Sequence, residues 1–141
     1  MDLSIREPDF EFEVPGKVQS KQRARIFTNI HGKIRGKTPD ETVNYENFIR
    51  MCFLKKYRNI VPSPYPLEII ILAYFVKPKN NKHQYPITVK LDVDNIGKIV
   101  MDALEEVAYH NDKQVLECFV GKYWGEHESL FVSINRYRKE K

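Results

Sequence analysis

Cysteine is scarce: Cys52 and Cys118 are the only two, neither a disulfide framework nor zinc spacing, and both read as buried apolar residues of a cytoplasmic protein. Long apolar runs are missing as well. The longest, from Ile69 to Val76, falls far short of a membrane span, and no charged-apolar-small leader opens the chain, so a soluble protein without a membrane partner is expected. There is no glycine-rich phosphate loop, which argues against a nucleotide-sugar or nucleotidyl transferase. His31, His83, His110 and His127 show no metal-ligand spacing, and no repeat or low-complexity segment occurs. Acid is absent from residues 17–37, where Lys17, Lys21, Arg23, Arg25, Lys33, Arg35 and Lys37 stand uncompensated.

That last absence carries information. The net charge of +4 is modest, but seven cations in 21 residues make a local field that favours a polyanion. Residues 1–13 are the opposite, with Asp2, Glu7, Asp9, Glu11 and Glu13 against Arg6 alone. With 141 residues, 42% of them hydrophobic, the chain is long enough for one ordinary core and too short for two sizeable domains.

Polar-apolar alternation predicts a strand over 9–14, ended by Pro15-Gly16. A short basic hairpin is expected around His31-Gly32, from Arg25–Asn29 and Lys33–Arg35. Thr38-Pro39-Asp40-Glu41 opens a helix that should run to about Tyr57 and bury Val43, Phe48, Met51, Cys52 and Leu54. Residues 67–77 are apolar on both parities, as in a central strand covered on both faces. A loop over 78–90 leads to a helix from Asp94, its expected N-cap, to about Ala108. In that helix Ile96, Ile99, Val100, Ala103, Leu104 and Val107 form one stripe, and Asp94, Lys98, Asp102 and Glu105 share the opposite face. Strands over 115–124 and 129–137 close the chain. The expected architecture is a single mixed α/β (α+β) domain, a mixed sheet packed by two main helices.

The densest chemistry lies in Lys90-Leu91-Asp92-Val93-Asp94-Asn95-Ile96-Gly97-Lys98, followed by Asp102 and Asn111-Asp112. Carboxylates brought within 4 Å repel by about 4 kcal/mol at an effective dielectric near 20, so a cluster calls for a divalent ion, a raised pKa or cationic neighbours. Hard oxygen ligands suit Mg²⁺ or Mn²⁺, ions that act mainly on phosphates. Each piece also has a plain structural explanation. Asp-x-Asp before a helix caps free N–H groups, Asp94-Lys98-Asp102 makes a solvated ion-paired face, and Asn111-Asp112 suits a turn. What favours chemistry is the combination, since a compact fold can return Asp112 to the helix that carries Lys98.

The run Lys90-x-Asp92-x-Asp94-Asn95-x-x-Lys98-x-x-x-Asp102-Ala103-Leu104, with Asn111-Asp112-x-Gln114-Val115, closely resembles the motif of RusA-type Holliday junction resolvases, small phage- and prophage-associated endodeoxyribonucleases. Pro15-Gly16-Lys17-x-Gln19-Ser20-Lys21-x-Arg23-x-Arg25 resembles that family's basic segment, and the likeness extends from about Val14 to Arg136. The resemblance implies a RusA-like domain with a DNA-binding segment over 14–37 and a catalytic motif over 90–114. It places the essential carboxylates on Asp92, Asp94 and Asp112 as ligands of Mg²⁺ (or Mn²⁺), the essential lysine on Lys98, and support on Asp102 and Asn95. Two departures stand out: Leu91 replaces a frequent proline, and Asn111 the first of a frequent Asp-Asp pair. The implied activity is resolution of four-way DNA junctions by a homodimer that nicks two opposed strands, in recombination and repair. The alternative left open is a branched-DNA-binding module without catalysis, its acidic residues structural. Phe27 and Tyr85 are the aromatics that would stack on unpaired bases, although packing is the commoner role for Phe27.

Overall fold

The computed structural model describes residues 9–21, 25–28, 34–37 and 40–138. Alternation over Phe10-Glu11-Phe12-Glu13-Val14 makes β1 (Phe10–Pro15), with Phe12 and Val14 turned into the core. β2 (Arg25–Thr28) and β3 (Ile34–Lys37) form the basic hairpin, Arg25 opposite Lys37 and Phe27 opposite Arg35; the turn at His31-Gly32 lies outside the described residues. Then come α1 (Asp40–Lys56), β4 (Leu67–Val76), α2 (Val93–Leu104), β5 (Val115–Gly125) and β6 (Ser129–Arg136). The main sheet has the order β1-β6-β4-β5. Only β4 and β5 run parallel, and α2 is the crossover such a pair requires. Ile49 and Phe53 of α1, the apolar stripe of α2 and Leu67, Ile69, Ile71, Ala73 and Phe75 of β4 share one core. The expected mixed α+β domain is what forms.

Several local expectations are corrected. In α1 the buried residues are Thr42, Tyr45, Ile49 and Phe53, whereas Val43, Phe48, Met51 and Leu54 are exposed and Cys52 is half-buried. Apolar residues occur all round this helix, so its composition does not choose a face. The aromatic partners of Phe53 do: Phe10, Phe12 and Tyr57 surround it at centroid distances of 5.7, 5.5 and 5.3 Å. Thr38 and Pro39, the expected cap, lie outside the described residues. β4 buries only its odd-numbered residues, and Ile70, Leu72 and Tyr74 on its other face are half-exposed. Cys118 is exposed because β5 is the outer strand of the sheet. β5 and β6 meet through a short connection as expected but are not partners, since β4 lies between them. A Cβ on Gly125 would come within 3.1 Å of the Tyr74 side chain, so glycine suits this crossing of the end of β4.

Phe53→Ala should lower unfolding free energy by about 3–5 kcal/mol, whereas Met51→Ala, at 66% exposure, should change it by about 0.5 kcal/mol or less. Denaturant melts of the two variants check this; equal losses would contradict the observed face of α1.

Candidate functional site

α2 positions most of the acidic motif. Its N-cap lies two residues earlier than expected, at Asp92 rather than Asp94, in extended backbone (φ −86°, ψ 145°). The Asp92 side chain makes no capping hydrogen bond, and among the described residues Asp94 Oδ1 accepts only its neighbour's N–H, from Asn95 at 3.0 Å. Both carboxylates are exposed. The plain structural reading of Asp-x-Asp as a helix cap therefore lacks its hydrogen bond.

Two to three turns on, Asp102 joins two lysines. Lys98 Nζ lies 3.2 Å from Oδ1 and Lys21 Nζ 3.3 Å from Oδ2, while Lys21 also donates to Glu46 Oε1 at 2.6 Å. The Lys21 backbone N–H donates to the Asn95 carbonyl at 2.9 Å, tying the basic segment to the first turn of α2. Burial works against the charge on Lys21, but hydrogen bonds and attraction from Glu46 and Asp102 outweigh it and raise its pKa above the ordinary value. Lys98 remains 60% exposed, its ammonium steadied by Asp102 yet open to solvent. It is free to meet an incoming anion.

The far end of α2 departs most from expectation. The helix stops at Leu104, not near Ala108, because Glu105 goes extended (φ −61°, ψ 136°) and Glu106 then turns into the left-handed region (φ 68°). The chain folds back and sends Tyr109 into the core, and Asn111 then caps a short 3-10 turn, Asp112–Gln114. Oxygens of Asp102, Glu105 and Asp112 lie within 4.8 Å of one another, the one such acidic group among the described residues. That donor set fits a hard divalent cation. Asp102 already accepts an ammonium on each oxygen, which leaves Glu105 and Asp112 as the freer ligands.

Asp112 is thus brought to the helix of Lys98, as the spacing suggested, but to its opposite end from Asp92. Ten residues of helix from Asp92 to Asp102 span about 15 Å. Of the basic residues, Lys17 is exposed and Lys21 is turned onto acids, while Arg25, Arg35 and Lys37 take their places in the hairpin. Arg23 and Lys33 lie outside the described residues.

Sequence reasoning missed four contributors. Glu46 reaches Lys21 from α1, and Lys122 of β5 donates to the Val89 and Leu91 carbonyls (3.2 and 3.0 Å), fixing the approach to Asp92. Tyr109 and Gln114 hold the turn that carries Asp112. Gln114 lies inside the recognised motif, whereas Tyr109 and Lys122 carried no signal.

A family model described as endodeoxyribonuclease RusA matches residues 15–135, a span that holds the basic segment and the whole acidic motif. The chain is also 25% identical over 134 residues to a Bacillus subtilis (strain 168) protein named YqaN and described as uncharacterized, covering 88% of this chain and 94% of that one.

Proposed function

The chain belongs to the RusA endodeoxyribonuclease family, and we propose that it is a divalent-metal-dependent, structure-selective endonuclease that resolves four-way DNA junctions by paired symmetric nicks. The observation that carries this reading is the geometry of α2. An open lysine is braced by an aspartate, two uncapped aspartates stand at one end, and the returning Asp112 stands at the other.

Asp92, Asp94 and Asp112 are the proposed ligands of Mg²⁺ (Mn²⁺ as a substitute), with Glu105 beside Asp112. Bound there, the ion supplies Lewis-acid neutralisation of charge at the scissile phosphate. The remaining work falls to the side chains. One carboxylate takes a proton from the attacking water, whose oxygen bonds to phosphorus as the bond from phosphorus to O3′ breaks. The 3′ oxygen leaves with a proton, giving 3′-hydroxyl and 5′-phosphate ends. Lys98 offsets the negative charge that grows on the phosphoryl oxygens in the transition state. Asp102 holds Lys98 and Lys21 in place, and the Asn95 carbonyl anchors the Lys21 backbone.

Asp92 and Asp112 of one chain are too far apart along α2 to chelate the same ion. Resolution of a twofold-symmetric substrate calls for a twofold-symmetric enzyme. A homodimer with the two α2 helices antiparallel sets the Asp92–Asp94 end of one copy beside the Asp112 end of the other. Apolar surface next to Asp94 and Lys98 supports a contact there: Val93 is 43% and Phe119 54% exposed, and Met101 lines the same pocket.

Lys17, Arg23, Arg25, Lys33, Arg35 and Lys37 are the proposed phosphate contacts, with Lys21 linking them to the site. Four contacts correspond to a slope of about −3.6 in log K against log salt. Arg23→Ala should flatten that slope by about 1 and weaken binding to every junction alike, measured by mobility shift across a salt series. An unchanged slope would remove the basic segment as the docking surface.

A further inference from the structure

We propose that Tyr109 and Gln114 are positioning residues for the Asp112 carboxylate, Tyr109 through its hydroxyl and Gln114 through the turn that carries the aspartate. The inference rests on the reading of Asp112 as a metal-binding carboxylate and adds the shell that orients it.

Tyr109 is fully buried, and its hydroxyl has two acceptors in reach, the Met101 carbonyl at 2.7 Å and Asp112 Oδ1 at 3.2 Å. A phenol carries one hydrogen. The Met101 carbonyl already accepts the Glu105 N–H at 3.1 Å, so it is satisfied in part without the tyrosine. Asp112 Oδ1 is where the hydroxyl adds something that the backbone does not. A donor locked in the core restrains one oxygen of the carboxylate that groups with Asp102 and Glu105.

Gln114 acts on the backbone of the same turn. Its Oε1 accepts the N–H groups of His110 and Asn111, both at 2.8 Å, and its Nε2 donates to the Ser63 and Tyr65 carbonyls at 2.7 and 3.0 Å. Both lone pairs and both hydrogens of the amide are used. The turn is thereby pinned to the proline-rich segment before β4, and Asp112, its first residue, cannot swing away from α2. Groups that orient a metal ligand from behind commonly change metal affinity by 10–100-fold when removed.

A purely structural role, closing the end of α2 and filling the core, would move stability without moving metal affinity. Mn²⁺ binding to the full chain is measured by calorimetry without DNA, beside the Mg²⁺ concentration that half-saturates junction nicking. Circular dichroism melts report the fold. Tyr109→Phe is expected to raise both concentrations about tenfold, with the saturated nicking rate changed less and metal-free junction binding unchanged. Gln114→Met, which removes all four hydrogen bonds at similar volume, should shift them in the same direction and carries the test should Tyr109→Phe fail to fold. Unchanged Mn²⁺ affinity in a folded variant of both positions overturns the proposal. Asp112→Asn serves as the reference. If it binds Mn²⁺ and nicks normally, the reading of Asp112 itself has failed; if it is inactive while Tyr109→Phe and Gln114→Met match the unsubstituted chain, only the positioning claim has.

Discussion

Asp112→Asn protein should bind a four-way junction at least as tightly as the unsubstituted chain and leave it uncut, nicking falling by about a thousandfold or more in Mg²⁺. The substitution removes one negative charge beside the DNA, which lowers repulsion of the phosphates, and it removes an anionic oxygen that the ion needs. It should not cost the fold. Asp112 is half-exposed, and an asparagine carbonyl still accepts the Tyr109 hydroxyl now shared with Asp112 Oδ1 at 3.2 Å. Asp92→Asn should behave alike, since the Asp92 side chain supplies no capping hydrogen bond whose loss would fray α2. Mobility shift and strand-resolved nicking assays on the same preparations separate the outcomes. Binding lost together with cleavage, or a collapsed melt, would favour the view that these carboxylates are structural.

Mixing two dead proteins should restore cutting. Asp94→Asn and Asp112→Asn are each expected to be inactive alone. In a twofold dimer whose sites draw Asp94 from one chain and Asp112 from the other, a mixed dimer carries both lesions in one site and leaves the second intact. Random exchange makes about half of the dimers mixed, so about a quarter of all sites revive. The products should be single nicks rather than paired ones, because only one site per dimer works. This follows from the length of α2, on which Asp92 lies about 15 Å along the axis from Asp102 while Asp112 lies against Asp102. No recovery after co-unfolding and refolding would mean that each ion is held within one chain, by Glu105 and Asp112 or by Asp92 and Asp94.

The limits of what the sequence disclosed follow from where the information sits. The apolar stripe of α2 was legible because its polar face is charged, and five of the six residues assigned to it, Ile96, Ile99, Val100, Ala103 and Leu104, are fully buried. α1 has no such contrast, so its inward face is set by Phe10 and Phe12 on β1, remote in sequence and invisible to periodicity. The end of α2 was misplaced because Glu106 supplies the left-handed turn without glycine or proline to announce it. That error hid Tyr109, which a longer helix would have treated as one more residue after Ala108. Asp92, Asp94, Lys98 and Asp112 could be singled out from their spacing and from the family likeness. Their arrangement along the helix could not, because i, i+4 periodicity says which face a residue shares and nothing about which end a returning loop meets. Nor could Glu46 and Lys122, whose roles depend on the packing of α1 and β5.

A synthetic immobile four-way junction, incubated with the purified full chain with and without Mg²⁺, asks the question most directly. Without the ion the junction should be bound and intact; with it, two nicks should appear at symmetric positions on opposed strands, each leaving a 5′-phosphate that a ligase can seal. A junction that is bound yet remains uncut in both Mg²⁺ and Mn²⁺ would contradict the nuclease reading and leave a DNA-binding module in its place.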